Sequence, residues 1–349
     1  MKIGMLTSGG DCQGLNAVMR GVAKTLYSKI PDLKLYGIAD GYKGLIEGIW
    51  RKMGPDDFSG ILREGGTILG TSRQPFKQMR DPDENGLDNI SKMINNYKKE
   101  NFDALVILGG NGTHKTAELL SKNGVNLVTL PKTIDNDLFG TDYSFGFDSA
   151  VARATEYLDA IHSTAASHGR IFAVELMGNK VGWITLYAGM AGGADAILIP
   201  EIPYEIDGVQ DAIEKRIARG KNFSIIAIAE GALSKEQAAL PKKERKNITV
   251  SAGAYLASAL SARLDREVRL SVPGHFQRGG DPTPTDRVLC LRLGAMAGEM
   301  ITNKKFGHMA ALRGNSIVAV PLSEVAGKPN AVPPDCEVIT QARSVGIYL

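Results

Sequence analysis

The 349-residue chain is short of several things. Its 41 Lys and Arg almost cancel its 38 Asp and Glu, leaving a formal charge of +3, too little to predict a nucleic-acid footprint or attraction to an acidic membrane. No segment approaches the ~18 consecutive apolar residues of a membrane span, and the opening residues 1–6 read as a strand, not a signal peptide. A cytoplasmic protein without nucleic-acid or membrane partners is expected. Cysteine is scarce too: Cys12, Cys290 and Cys336 are odd in number and form no CxxC pair, which argues against a disulfide framework and a structural zinc site and suits unpaired thiols in a reducing compartment. No internal repeat and no low-complexity tract is visible. Glycine, by contrast, is abundant. Forty glycines are about 11% of the chain where roughly 7% is usual, so the surplus is either loose linker or tight turn.

Short apolar runs alternate with helix-length segments throughout. Strands are expected at residues 3–6, 33–39, 104–108, 126–130, 170–176, 196–199, 224–229, 269–272 and 316–320. Several, such as Leu105-Val106-Ile107-Leu108, are continuously apolar, as strands buried on both faces of a parallel sheet are. Helices are expected at 113–122, 148–166, 209–219, 251–264 and 284–302. Strand–helix alternation means α/β with parallel sheets, and nine strands exceed what one sheet of ordinary size needs, so two α/β lobes with a cleft are expected. The first crossover candidate is 141–148, and the charged stretch 235–246 reads as a surface insertion.

The glycines recur directly after strands. Ser8-Gly9-Gly10-Asp11 follows the first strand, and Gly109-Gly110-Asn111-Gly112-Thr113 follows the strand at 104–108; each then opens a helix. Such turns sit where open α/β sheets bind ligands, and glycine there lets the backbone N–H groups and the helix dipole approach a phosphate. Purely steric use of glycine in tight turns is the alternative. Neither turn has the Walker or GxGxxG spacing, which disfavours P-loop NTPases and Rossmann dehydrogenases. Beyond the next strand, Lys132-Thr133-Ile134-Asp135-Asn136-Asp137 offers a general base beside a metal-associated carboxylate, or else a solvated turn. Arg269, His275 and Arg278 surround a further strand end, where guanidinium groups suit phosphate oxygens; Arg73 and Arg170 carry the same signal more weakly. His114 and His162 read as helix-surface residues.

Residues 7–16 (TSGGDCQGLN), 70–73 (GTSR), 109–113 (GGNGT), 131–137 (PKTIDND), 167–170 (SHGR), 177–178 (MG) and 273–280 (PGHFQRGG) together resemble, in order and spacing, the 6-phosphofructokinases, in their short prokaryotic form. The resemblance covers nearly the whole chain. It implies a two-lobed fold, each lobe a mainly parallel sheet flanked by helices, with the active site in the cleft. Residues 1–145 with about 259–325 are expected to form the donor lobe, and 146–258 with about 326–349 the sugar-phosphate lobe. It implies phosphoryl transfer from ATP to the 1-hydroxyl of fructose 6-phosphate in a homotetramer with composite sites.

Carried over by residue, the resemblance sets Gly10, Arg73, Gln74, Gly109, Gly110, Asn111, Gly112 and Thr113 against the donor phosphates. Asp135 becomes the general base, with Arg73, Thr133 and Asp137 as its catalytic companions, and Asn111 and Asp137 help to hold Mg2+. Thr133, Asp135, Asp137, Met177, Gly178, Asn179, Glu230, His275, Phe276, Gln277 and Arg278 line the sugar-phosphate pocket. Arg170 and Arg269 reach the 6-phosphate from the neighbouring subunit. Arg20, Lys24, Arg219 and Lys221 resemble a basic effector site, with His162 where the regulated enzymes have arginine.

Two positions bear on the donor. Gly112 stands where pyrophosphate-dependent members resemble one another in having Asp, whose side chain would fill and repel the α-phosphate space, so Gly112 favours ATP. Lys132 resembles the pyrophosphate enzymes, which keeps that donor as the alternative. Asn111 replaces the aspartate of the common GGDG turn, and Asn179 replaces an arginine, with Lys180 adjacent. Those losses motivate a second alternative, a catalytically weak sugar-phosphate-binding subunit.

Overall fold

The computed structural model describes residues 1–84 and 86–349. Among the described residues, the strands are β1 Lys2–Ser8, β2 Lys34–Ile38, β3 Trp50–Met53, β4 Ala104–Gly109, β5 Leu127–Pro131, β6 Ile171–Leu176, β7 Ala196–Leu198, β8 Ser224–Ala229, β9 Val268–Ser271, β10 His308–Arg313 and β11 Ser316–Pro321. Every expected strand is present; β3 and β10 are additions. The chain divides into two compact units, Met1–Ser149 with Arg278–Asn330, and Ala150–Gln277 with Ala331–Leu349. The change of unit falls within the helix Phe147–His168, just past the expected crossover at 141–148. Residues 259–277, grouped above with the donor lobe, fall instead in the second unit, because β9 pairs in parallel with β6.

The first unit is built on a seven-stranded sheet in the order β11-β10-β5-β4-β1-β2-β3. Its five inner strands run parallel, and β3 and β11 close the edges antiparallel. The register Ile3↔Ala104 and Leu105↔Leu127 brings the ends of β1, β4 and β5 level, so the loops that follow them leave one edge of the sheet. All residues of β4 and β5 are buried, as two-sided coverage by helices requires. Two of those helices, Leu15–Lys29 and Pro284–Thr302, meet at backbone level. A Cβ at Gly294 would lie 2.6 Å from the Val18 carbonyl oxygen, and one at Gly21 would lie 3.0 Å from that of Leu291, so glycine is what lets the axes come this close. Near the start of the second helix, the buried Asp286 carboxylate accepts hydrogen bonds from the backbone N–H of Gly146 (3.1 Å) and from both the N–H (2.9 Å) and hydroxyl (2.6 Å) of Ser149. Burial pushes this carboxyl up to about 6.

The second unit holds a parallel four-stranded sheet, β7-β8-β6-β9. β6 and β8 are wholly buried, with Ile206, Val209 and Ile213 of the helix Ile206–Ala218 and Leu256 and Leu260 of the helix Ala252–Ser261 in the same apolar cluster. β9 is an edge strand with Arg269 and Leu270 exposed. The expected insertion at 235–246 forms two short helices, Lys235–Ala239 and Lys242–Arg245, the latter without a buried residue.

Candidate active site

In the first unit, three loops leave the ends of β1, β4 and β5. The β1 loop is pinned to residues 70–73: the Gly9 N–H donates to the Ser72 carbonyl (3.0 Å), the Thr71 hydroxyl to the Gly9 carbonyl (2.7 Å) and the Thr7 hydroxyl to the Gly70 carbonyl (2.7 Å). Gly9 has φ +92°, a left-handed conformation that glycine adopts without strain.

Three cations gather on this loop. Lys132 is buried and its ammonium donates to the Gly10 carbonyl. Arg278 donates to the Asp11 carbonyl at 2.8 Å. A Cβ built on Gly10 would lie 3.1 Å from Arg278 Nη1 and 3.5 Å from Arg73 Nη2, and one on Gly9 would lie 3.4 Å from Lys132 Nζ. A side chain at either glycine would therefore occupy the space that the cations face. Burial lowers the Lys132 amine below the usual lysine range, opposed by the nearby Cys12, Asp135 and Asp11. Cys12 itself, enclosed beneath the loop, is pushed up to about 12 by burial and stays a neutral thiol.

The β4 loop turns at Gly110, which precedes the helix Asn111–Lys122 without any side-chain cap, so the first N–H groups of that helix are left for another acceptor. Gly112 is exposed, and a Cβ there would meet nothing within 4 Å. Asn111 is engaged with the chain itself: its Oδ1 accepts the Gly327 N–H (3.1 Å) and its Nδ2 donates to the Lys328 carbonyl (3.4 Å). The hydroxyl of buried Tyr42 donates to the Thr113 carbonyl (2.9 Å). His114, expected on the helix surface, is 1% exposed; it faces the core because the helix packs against β4 and β5. Its Nδ1 lies 2.9 Å from the Gly110 carbonyl oxygen, and burial lowers the ring to about 4.

Beyond β5, Thr133 Oγ1 accepts the Asp135 N–H (3.1 Å). Asn136 takes a left-handed φ of +52°, which asparagine tolerates better than most residues. Its side chain accepts the Ser144 N–H (2.8 Å) and donates to the Asp142 carbonyl (3.1 Å). Asn136 is thus the clamp between the two carboxylates, a role the sequence reading missed; an Asn between two Asp in a tight turn is the signal that was available. Asp137 is largely enclosed and burial raises its carboxyl, against a hydrogen bond from Thr133 and the charge of Lys132.

In the second unit, Arg170 and Arg269 converge on one carboxylate, each ion-paired with Glu267; those hydrogen bonds hold the Glu267 carboxyl below its usual range. Glu267 is a partner the sequence reading did not single out. The turn after β6 carries Gly178 at φ +151° and Asn179 at φ +53°. Glu230 Oε1 accepts both backbone N–H groups, at 3.2 and 2.7 Å. A left-handed residue 179 suits asparagine better than the arginine it replaces; Lys180 beside it is exposed.

Gln277, expected among the sugar-phosphate contacts, has no accessible surface. Its amide accepts the Met177 N–H (3.2 Å) and donates to the Gly274 carbonyl (3.1 Å), so it supports the loop from within. His275 and Phe276 are exposed, and the Phe276 ring lies 6.2 Å from that of Tyr157. Arg278, expected with these residues, belongs to the first unit and its glycine loop.

Gln74 is half-buried beside the exposed Arg73. Arg20 donates to the Phe58 carbonyl (2.5 Å) in the first unit, where Lys24 is exposed, while Arg219 and Lys221 are exposed in the second. No described helix is long and apolar enough to cross a membrane, and no group of three or more His, Cys, Asp or Glu that could hold a metal ion occurs among the described residues.

The first unit therefore offers a glycine-rich loop, an uncapped helix start, three cations and two carboxylates; the second offers an arginine pair and a glutamate-held turn. The sequence model of the family described as Phosphofructokinase matches residues 2–301. Over 98% of its length the chain is 51% identical to the ATP-dependent 6-phosphofructokinase of Spirochaeta thermophila, covering 96% of that protein. It is 46% identical to ATP-dependent 6-phosphofructokinase 3 of Bacteroides thetaiotaomicron, covering 99% of each. Among solved structures, the phosphofructokinase of Saccharomyces cerevisiae superposes with a TM-score of 0.80 at 30% identity over 99% of this chain and 46% of that one. A pyrophosphate-dependent phosphofructokinase from Marinobacter aquaeolei shares the fold, with a TM-score of 0.81 at 23% identity over 100% and 92% of the two chains.

Proposed function

Because this chain belongs to the phosphofructokinase family, we propose that it transfers the terminal phosphoryl group of ATP to the 1-hydroxyl of fructose 6-phosphate, giving fructose 1,6-bisphosphate and ADP. The observation that carries this reading is the convergence of Arg73, Arg278 and Lys132 on Gly9 and Gly10, with two carboxylates on the segment after β5. Phosphoryl transfer requires positioning and positive charge around the moving group more than covalent chemistry from the protein.

In this reading the donor phosphates lie against the Gly10 loop and the 109–113 turn. Positive charge from Arg73 and Lys132 opposes the charge that spreads over the transferring group. Asp135, its backbone N–H held by Thr133 Oγ1, takes the proton from the 1-hydroxyl as that oxygen attacks. The residues present fit a magnesium ion that keeps water and phosphate ligands: a largely enclosed Asp137 carboxylate, raised by burial, is ionised more readily beside a cation, and Mg2+ is commonly held by one or two carboxylates together with substrate phosphates. When bound, the ion supplies charge neutralisation at the donor phosphates. Asp137 would hold it, and the Asn111 amide oxygen, which keeps a second lone pair while accepting the Gly327 N–H, would hold the ion or one of its waters.

We assign the sugar phosphate to the second unit. Arg170 and Arg269, brought together by Glu267, take the 6-phosphate, and Met177, Gly178, Asn179, Glu230 and His275 take the sugar. Arg269 stands on the exposed edge strand β9 beside Leu270, and the half-buried Arg170 is tied to it through Glu267; that placement suits donation of the pair to a neighbouring subunit of a homotetramer.

The open space at Gly112 favours ATP. The pyrophosphate reading rests on Lys132, whose ammonium would serve either donor. Steady-state turnover of fructose 6-phosphate with ATP and with pyrophosphate, both with Mg2+, separates them. Higher kcat/KM with ATP is expected; equal or higher efficiency with pyrophosphate overturns the donor assignment, and no turnover with either returns the chain to the binding-subunit reading.

A further inference from the structure

His114 has no task in the reaction as assigned, yet two of its nitrogens are tied to the donor turn. Its backbone N–H and its ring Nδ1 both reach the Gly110 carbonyl oxygen, at 3.0 and 2.9 Å. A carbonyl oxygen only accepts, so Nδ1 carries the proton. In the neutral ring Nε2 is then an acceptor, and it is buried without a partner. Such an orphan destabilises a fold, so the ring costs at one nitrogen what it returns at the other, and an apolar side chain would pack here more cheaply.

What the ring returns is control of one peptide plane. The Gly110 carbonyl and the Asn111 N–H belong to the same planar trans peptide and point in opposite directions; fixing the oxygen fixes the hydrogen. This peptide lies in a glycine-rich turn, where the backbone has more freedom to rotate than elsewhere, and no side chain caps it. The Asn111 N–H is among the first of the helix, with no acceptor inside it. Neighbouring anchors hold other atoms: Tyr42 holds the Thr113 carbonyl, and the Asn111 amide holds residues 327 and 328.

We propose that His114 is a positioning residue for the phosphoryl donor, clamping the Gly110 carbonyl so that the Asn111 N–H is presented to the donor phosphates. The proposal rests on the reading of the 109–113 turn as the donor site.

The test compares three substitutions. His114→Leu fills the space and removes the ring N–H; His114→Asn restores an amide N–H close to the position of Nδ1; His114→Gln sets its amide farther out, near Nε2. With thermal melting as a check on folding, Leu and Gln are expected to raise KM for the donor about tenfold, as loss of one well-placed hydrogen bond to a charged group does. KM for fructose 6-phosphate stays within about twofold, and Asn returns the donor KM to within about threefold of the parent. Should the Leu variant not fold, the Asn and Gln pair carries the comparison. Unchanged donor KM in Leu and Gln, or equal rises for both substrates without rescue by Asn, overturns the role of His114. A parent enzyme that uses only pyrophosphate overturns the ATP reading instead, and the same three variants are then compared with pyrophosphate.

Discussion

Substitution of Gly112 by Asp separates fold from donor choice. Position 112 is the second residue of the helix Asn111–Lys122, exposed, with room for a side chain in every direction within 4 Å of a Cβ. Replacing glycine by aspartate within a helix contributes about 0.3 kcal/mol of propensity, and a carboxylate in the first turn adds about 0.3–1 kcal/mol through the helix dipole. Folding stability should therefore rise by about 1 kcal/mol. The same carboxylate opposes the α-phosphate of a nucleotide laid along the turn. Two unit charges about 4 Å apart repel by about 4 kcal/mol at an effective dielectric of 20, and solvent at an exposed position reduces this to about 1–3 kcal/mol. Gly112→Asp should lower kcat/KM for ATP roughly 5- to 150-fold while melting at or above the parent temperature. Pyrophosphate has no α-phosphate beyond its two groups, so any activity with it should not fall. An ATP efficiency unchanged in a well-folded variant would refute the placement of the nucleotide beside Gly112; parallel loss with both donors would point to general damage of the turn.

Three further perturbations test other parts of the site and scaffold. Asp135→Asn should lower kcat by about 10²–10⁴ with KM for ATP changed only a few-fold, read by steady-state kinetics. Because burial lowers the Lys132 amine, its proton is lost at a lower pH than that of an ordinary lysine; if its charge assists transfer, kcat should fall as pH rises toward that range, and Lys132→Arg, which stays charged, should shift the alkaline limb upward. Asp286, raised from its ordinary value to about 6, binds a proton more readily in the folded chain. Its contribution to stability is therefore full below about pH 4 and is lost as pH rises through 6, a change of about 2–3 kcal/mol. Urea titrations across that window should show the slope in the parent and its absence in Asp286→Asn.

The legible parts of this molecule were those in which local pattern and tertiary environment agree. The runs ALVIL and SIIAIA read as interior strands and lie wholly buried in β4 and β8, and the glycines read as turns do leave the ends of β1 and β4. β10 was missed because His308-Met309-Ala310-Ala311-Leu312-Arg313 is rich in good helix formers; it is a strand because β5 and β11 flank it. The stretch 273–280 reads as one motif, yet Gln277 and Arg278 fall in different units, one locked inside its own loop and the other on the glycine loop. His114 was misread for a related reason: a polar residue in a short amphipathic helix reveals its face only once its neighbours are placed. Asn136 and Asn179 read as polar turn residues or as losses of charge, whereas the left-handed backbone at both supplies a physical reason for asparagine.

The glycine seam between the helices Leu15–Lys29 and Pro284–Thr302 sets the order in which the chain is completed during synthesis. The first unit closes only when residues 278–330 have been made, because its early helix needs the later one and β5 needs β10 beside it. At roughly 5–20 residues per second, the interval from residue 149 to residue 330 is about 10–35 s, during which β5 presents an unpaired edge of the kind that recruits other strands. The second unit also waits, for the bridge between Ala196 and Tyr348. Both units of the enzyme are thus finished by the last fifth of the sequence, and a ribosome stalled before it would hold the first sheet without β10 and β11 and the second without its closing bridge.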